Sequence, residues 1–278
     1  MSASTHQALV QDQWLHRSLI DVRLVVRELS GVFGAPTVAE LAGQRDRKIA
    51  YRWALADGPS PRPEAQRRLY AFYRSWLTVA DQTDHQRTLA WFTSGHPALG
   101  EQSPLDVFRA GDLPSATSAS DKFRSAVTSG GPLIGPIRTA HWHFATLLPP
   151  RELIQECVDF FGARTTAGLA GESDRKAAYR WMKADGPTPS FAVRRRLSVV
   201  HRVRVAISSA TSPVLAKHWF VAASPALNEQ MPLTAALQSD LPALVLAADE
   251  FLGVAERSVT RRLNAEPVDR PQHLSRTA

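Results

Sequence analysis

Cysteine is nearly missing from this chain. Cys157 is the only one in 278 residues, so no disulfide can close within the chain and no cluster of thiolates can cage zinc. Long apolar runs are missing too. Nothing approaches the roughly 18 consecutive apolar residues of a membrane helix, and Met1 to Gln7 holds no basic stretch followed by an apolar one. The expectation is a cytoplasmic protein with no membrane partner. Catalytic signatures are absent as well: there is no Gly-x-Ser-x-Gly elbow, no Gly-x4-Gly-Lys-Ser/Thr loop and no Gly-x-Gly-x-x-Gly. His141-Trp142-His143 comes nearest to a metal pair, but no clustered Cys, His or carboxylate completes it nearby. A partly buried or surface histidine pair is the better reading. Scattered Ser, His and Asp can still meet in space, yet the expectation is a protein that is not an enzyme and takes no cofactor or metal.

What is present describes an ordinary globular chain. With 44% hydrophobic and 21% charged residues it has the length for two medium domains, which excludes disorder throughout. Lys plus Arg number 33 against 26 Asp plus Glu, a net charge of +7. With a pI near 10.1, this balance favours a polyanionic partner without naming one.

The chain is one sequence written twice. TVAELAGQRDRKIAYRWALADGPSPRPEAQRRL at 37 to 69 aligns without a gap on TTAGLAGESDRKAAYRWMKADGPTPSFAVRRRL at 165 to 197, with 20 of 33 positions identical at an offset of 128. The offset holds for WFTSGHPALGEQSPLDVFRAGDL at 91 to 113 against WFVAASPALNEQMPLTAALQSDL at 219 to 241, where 11 of 23 positions match. It also pairs Phe33-Gly34-Ala35 with Phe161-Gly162-Ala163, Trp14 with Trp142, and Asp121 and Phe123 with Asp249 and Phe251. Solenoid repeats run about 20 to 50 residues, so a period this long marks a duplicated domain. The copies are placed at 10–137 and 138–265, joined through the glycines and prolines of 129–136, with a loose basic tail at 266–278. Lys and Arg minus Asp and Glu is 15 minus 13 in the first copy and 16 minus 11 in the second, so the second is the more cationic.

Helical periodicity dominates. Leu69, Phe72, Tyr73, Trp76, Leu77 and Ala80 fall at i, i+3, i+4, i+7, i+8 and i+11, one apolar stripe on a long helix. Ser60-Pro61 and Thr188-Pro189 supply a capping hydroxyl and a proline for its start. Asp57-Gly58-Pro59 and Asp185-Gly186-Pro187 end the helix before it, with glycine expected in the left-handed conformation. Further helices are expected near 17–31, 37–43, 46–56, 84–94, 104–110 and 117–127, each with a counterpart 128 residues on. The fold class is all-α.

Thr37 to Gly43 followed by Asp46 to Ala56 has the form of a helix-turn-helix, repeated at 165–184. Ile49, Trp53 and Ala56 gather on one side of the second helix; Arg47, Lys48, Tyr51 and Arg52 occupy the other. In the second copy Ala177 and Trp181 take the packing side, and Arg175, Lys176, Tyr179 and Arg180 repeat the polar side unchanged. Arginine bridges guanine acceptors or grips phosphate, lysine acts as a point charge, and tyrosine touches backbone or a thymine methyl. The candidate DNA contacts are therefore Arg45, Arg47, Lys48, Tyr51 and Arg52 in one copy and Ser173, Arg175, Lys176, Tyr179 and Arg180 in the other. Asp46 and Asp174 are expected as N-caps, Trp53 and Trp181 as core. A solvated basic face on a generic helical hairpin is the plainer alternative.

AGQRDRKIAYRWALADGPSP, then RRL, then WFTSGHPALGEQSPLDVFRAGD resembles the Xre-type antitoxins of RES–Xre toxin–antitoxin modules. The likeness covers nearly all of each copy. It implies a helix-turn-helix at about 37–56 and 165–184 ahead of a toxin-binding helical part of the Xre/MbcA/ParS kind at about 63–127 and 191–255. Its sharper block is Trp91-Phe92, Pro97-Ala98-Leu99 and Ser103-Pro104-Leu105, matched by Trp219-Phe220, Pro225-Ala226-Leu227 and Met231-Pro232-Leu233. Met231 stands where a hydroxyl would cap, His96 or Ser224 precedes the Pro-x-Leu turn where the family often has Asn, and Tyr73 and Trp76 become His201 and Arg204.

The expectation is thus a nucleoid-associated regulator of transcription that binds double-stranded DNA, its copies packed as a pseudo-twofold pair. A RES-type toxin or another protein is the further partner the resemblance implies. A partition protein, a phage-type repressor and a protein-interaction module that binds no DNA are the alternatives.

Overall fold

The computed structural model describes residues 20–129, 137 and 140–265. All its regular elements are helical among these residues. Asp21 opens α1 (Val22–Phe33) by accepting from the Arg23 N–H at 2.8 Å, and Val22, Val25, Val26, Leu29 and Phe33 bury one face of it. Gly34, at φ 81°, turns the chain into α2 (Ala35–Leu41). Then come α3 (Ile49–Trp53), α4 (Pro63–Ala80), α5 (His85–Thr93), the 3-10 turn Pro97–Leu99, α6 (Pro104–Ala110) and α7 (Leu113–Ser129). The Ser103 hydroxyl caps α6 by accepting from the Asp106 N–H at 3.1 Å.

After α8 (Ala140–Ala145) the same series returns: α9 (Pro150–Phe161), α10 (Ala163–Leu169), α11 (Ala177–Met182), α12 (Phe191–Ala210), α13 (Pro213–Val221), the 3-10 turn Pro225–Leu227, α14 (Pro232–Leu237) and α15 (Leu241–Ala265). Each of these eight elements begins 128 residues after its counterpart. Met231 gives α14 no side-chain cap and lies exposed, whereas Ser103 caps and is buried.

Two cores result. In the first, Phe33, Phe72, Trp76 and Phe92 stack edge to face or tilted, with Phe72 and Phe92 ring centroids 4.9 Å apart. In the second, Val200 and Ala236 stand for Phe72 and Phe108, so that core is largely aliphatic. Arg204 stands for Trp76 and pairs with Glu156, the counterpart of the Glu28 carboxylate that accepts from Tyr73 in the first half.

Packing does not respect a boundary at 137/138. Ile137 is buried in the second core, whereas Phe144 and Leu147 pack in the first, Phe144 lying 5.6 Å from Phe123. From the far side, α12 lays Phe191 against Phe33 and Arg202 against the loop after α5. Arg202 donates to the Gly95 carbonyl at 2.9 Å and pairs with Glu101, and the Gly95 N–H donates to Ser198 at 3.2 Å. His143 from α8 completes the seam, its ring 4.5 Å from that of His96.

These contacts are not returned. A pseudo-twofold axis would bring Arg74, the counterpart of Arg202, onto Ala223 and Glu229; both Arg74 and Glu229 are exposed. The expected twofold exchange is therefore not made at this seam, and the halves meet through different surfaces, as in a head-to-tail contact.

Local readings are corrected in three places. The long helices start two residues beyond the expected prolines, at Pro63 and Phe191, because Gln66 and Arg194 reach back to the Pro61 and Pro189 carbonyls at 2.8 and 3.1 Å and hold those prolines in the approach. Ser190, not Thr188, caps the second. Gly58 and Gly186 do not adopt the left-handed conformation; a Cβ at either would fall 1.8 Å from the Arg52 or Arg180 carbonyl oxygen, so close approach explains the glycine. The join at 130–136, the tail at 266–278 and Trp14 lie outside the described residues.

Candidate nucleic-acid interface

The second helix of each expected helix-turn-helix, α3 and α11, is held by apolar anchors. Ala50 and Trp53 in α3, and Ala177, Ala178 and Trp181 in α11, are buried against their cores. The tryptophans are therefore core residues, as their spacing predicts. Ala56 is exposed, contrary to its place in the predicted packing stripe, because α3 stops at Trp53. Gly43 at φ 73° and Gly171 at φ 80° supply the turn between the two helices of each unit.

With one side anchored, the other faces solvent. Arg45, Arg47, Lys48, Tyr51 and Arg52 are all exposed, and so are Ser173, Arg175, Lys176, Tyr179 and Arg180. Each set lies on a turn and the short helix that starts one residue after the aspartate's Asx contact. Asp46 and Asp174 accept from the Lys48 and Lys176 N–H groups at 2.9 and 2.8 Å. They thus serve the helix approach, although the residues directly preceding the helices are Lys48 and Lys176. The Lys176 N–H, followed by Arg180, holds the Asp174 carboxyl below its usual range.

Carboxylates restrain part of this cationic surface. Arg52 pairs with Asp46 at 2.7 Å, Arg180 with Asp174, and Arg47 with Glu40 at 3.0 Å. Glu40 also holds Arg109 at 3.0 Å. The second half has Gly168 where Glu40 stands, and Arg175 has no carboxylate partner among the described residues. Lys48, Lys176 and Arg45 likewise have none there. Exposed pairs of this kind are worth about 0–1 kcal/mol, so a phosphate can displace the carboxylate at small cost. The role of Glu40 went unread in the sequence: it sits seven residues before Arg47, across a turn.

The histidines predicted as a partly buried or surface pair divide differently. His143 is fully buried beside His96 and Arg202, and the side chain of His141 lies outside the described residues. Burial, then the Arg202 charge, pushes His96 down to about 3, and burial with His96 pushes His143 well below the usual imidazole value. No group of three or more His, Cys, Asp or Glu side chains among the described residues is placed to hold a metal. No helix there is long and apolar enough to cross a membrane.

Comparison of the chain with protein-family models, with curated proteins and with solved structures returned no match.

Proposed function

We propose that this protein is a double-stranded DNA-binding regulator of the kind the Xre-type resemblance implies, reading DNA with the outer faces of α3 and α11. One observation carries the reading. Two short helices, each anchored by a buried tryptophan, together with the two residues before each, present the same exposed Arg-Lys-x-x-Tyr-Arg face, 128 residues apart. Such a face grips phosphate through its cations and reaches base edges through bidentate arginine. The duplication lets one chain cover two similar half-sites. Because the seam between halves is head-to-tail, the reading favours half-sites in the same orientation over an inverted palindrome.

The test is binding of labelled duplex over a salt series. Log affinity is expected to fall with log salt by about 0.9 for each phosphate neutralised. R175A/R180A should weaken binding more than K217A, whose exposed lysine lies on α13 away from this face. Salt-independent binding, or equal losses in the two variants, contradicts the reading.

A further inference from the structure

Among the described residues, the two surfaces that meet at the seam inside the chain each have an uncovered counterpart on the other half. On the first half, α12 and α8 cover the loop after α5 and the flank of α7. The matching surface of the second half carries no such cover among the described residues. It opens as a pocket lined by Leu215, Trp219, Ala222, Ala223, Ser224 and Phe251, where Phe251 is the counterpart of the Phe123 that Phe144 covers. On the same half Val221, Met231 and Leu237 are exposed, where the first half has Thr93, Ser103 and Arg109, which are buried or half-buried. An apolar face present in only one of two related halves marks a contact that only this half makes.

We propose that this face receives the α4 surface of a second copy of the chain, repeating the internal seam between molecules and giving a head-to-tail assembly. Three paired positions support that occupant. Arg202 and Glu101 of the seam have counterparts Arg74 and Glu229, the same ion pair in exposed and separated form. The loop that presents them is kept: Glu101 and Glu229 lie at φ 63° and 65°, and the His96 and Ser224 N–H groups donate to Gln102 and Gln230 at 3.0 and 3.1 Å. Volume is exchanged across the contact. A Cβ on Gly95 would lie 2.4 Å from Val199 Cγ2; the counterparts are Ala223, which has that Cβ, and Ala71, which lacks the γ-carbons. Arg109, whose guanidinium lies 5.8 Å from the Phe191 ring, is matched by exposed Leu237 opposite exposed Pro63. The Ser198 contact is not kept, since Tyr70 takes its place and donates to the Ile20 carbonyl.

A contact between unlike surfaces leaves one of each free after every addition, so it extends as a filament or closes as a ring. The proposal stands apart from DNA binding, because Arg74 and Glu229 belong to neither reading helix. Sedimentation of the full-length protein without DNA tests it. The parent is expected to exceed the 30.6 kDa single-chain mass as its concentration rises. R74E and E229R should each weaken association by about tenfold or more, and R74E/E229R should regain it by restoring opposite charges. A71V should weaken it, and A71V/A223G should recover it by rebuilding the internal arrangement. Helical circular dichroism of every variant shows that each is folded. A parent that stays at single-chain mass at all concentrations, a double charge variant that fails to recover, or single variants that assemble as the parent does would each overturn the proposal.

Discussion

Arg202 on α12 is buried against Glu101 in the loop after the 3-10 turn of the other half, their side chains 1% and 4% exposed. The same guanidinium holds the Gly95 carbonyl at 2.9 Å. One residue of the second half thus neutralises a buried carboxylate of the first and satisfies its backbone, which ties the halves in one arrangement.

Removing either partner of such a pair leaves an uncompensated buried charge. R202M or E101Q is expected to cost about 3–5 kcal/mol. The double variant should cost clearly less than the sum, because it leaves no lone charge. Urea unfolding of the four proteins measures this. Additive losses under about 1 kcal/mol would place the pair among solvent-screened ones.

Acid should loosen the protein before carboxylate titration does. Burial pushes His96 and His201 down to about 3, against about 6.5 in an unfolded chain. The unfolded state therefore binds more protons between these values, and stability falls as pH drops from about 6.5 toward 3. At pH 5 each histidine should have withdrawn about 2 kcal/mol relative to neutral pH. Melting temperature followed from pH 7.5 to 5 checks the sign, and H201F, which cannot titrate, should flatten the slope. A melting temperature that rises on acidification contradicts the assignment.

The tryptophans of the candidate reading units are anchors. W53A and W181A should each cost about 3–5 kcal/mol through lost burial and a cavity. Y51A and Y179A, which remove exposed rings, should leave stability within about 0.5 kcal/mol of the parent. Chemical unfolding compares them. An unchanged W181A curve would mean that the ring is not in the core.

Much of this arrangement is legible in the chain because it is local. Prolines, capping hydroxyls and apolar spacing mark the helices, and the position of Trp53 against Tyr51 and Arg52 divides α3 into an anchored and an open face. What escaped depends on contacts far apart in sequence. The offset of 128 identifies two related halves but not the operation relating them, which Arg202, Gly95 and Glu101 determine across more than 100 residues. Periodicity puts Ala56 on the packing stripe but does not say where a helix stops, and α3 stops at Trp53. The conformation of Gly58 is not legible because a helix end demands glycine for closeness to a carbonyl as readily as for a left-handed turn. Glu40 was missed since its partners, Arg47 and Arg109, meet it only once α2, α3 and α6 have packed.

Selection of bound duplexes from a random pool, followed by footprinting of the recovered site with parent and R175A/K176A protein, tests DNA reading most directly. The account predicts a recovered motif with two similar half-sites protected by one chain, and loss of protection over one of them in the variant. Failure to enrich any duplex, or a footprint that R175A/K176A leaves whole, would contradict it.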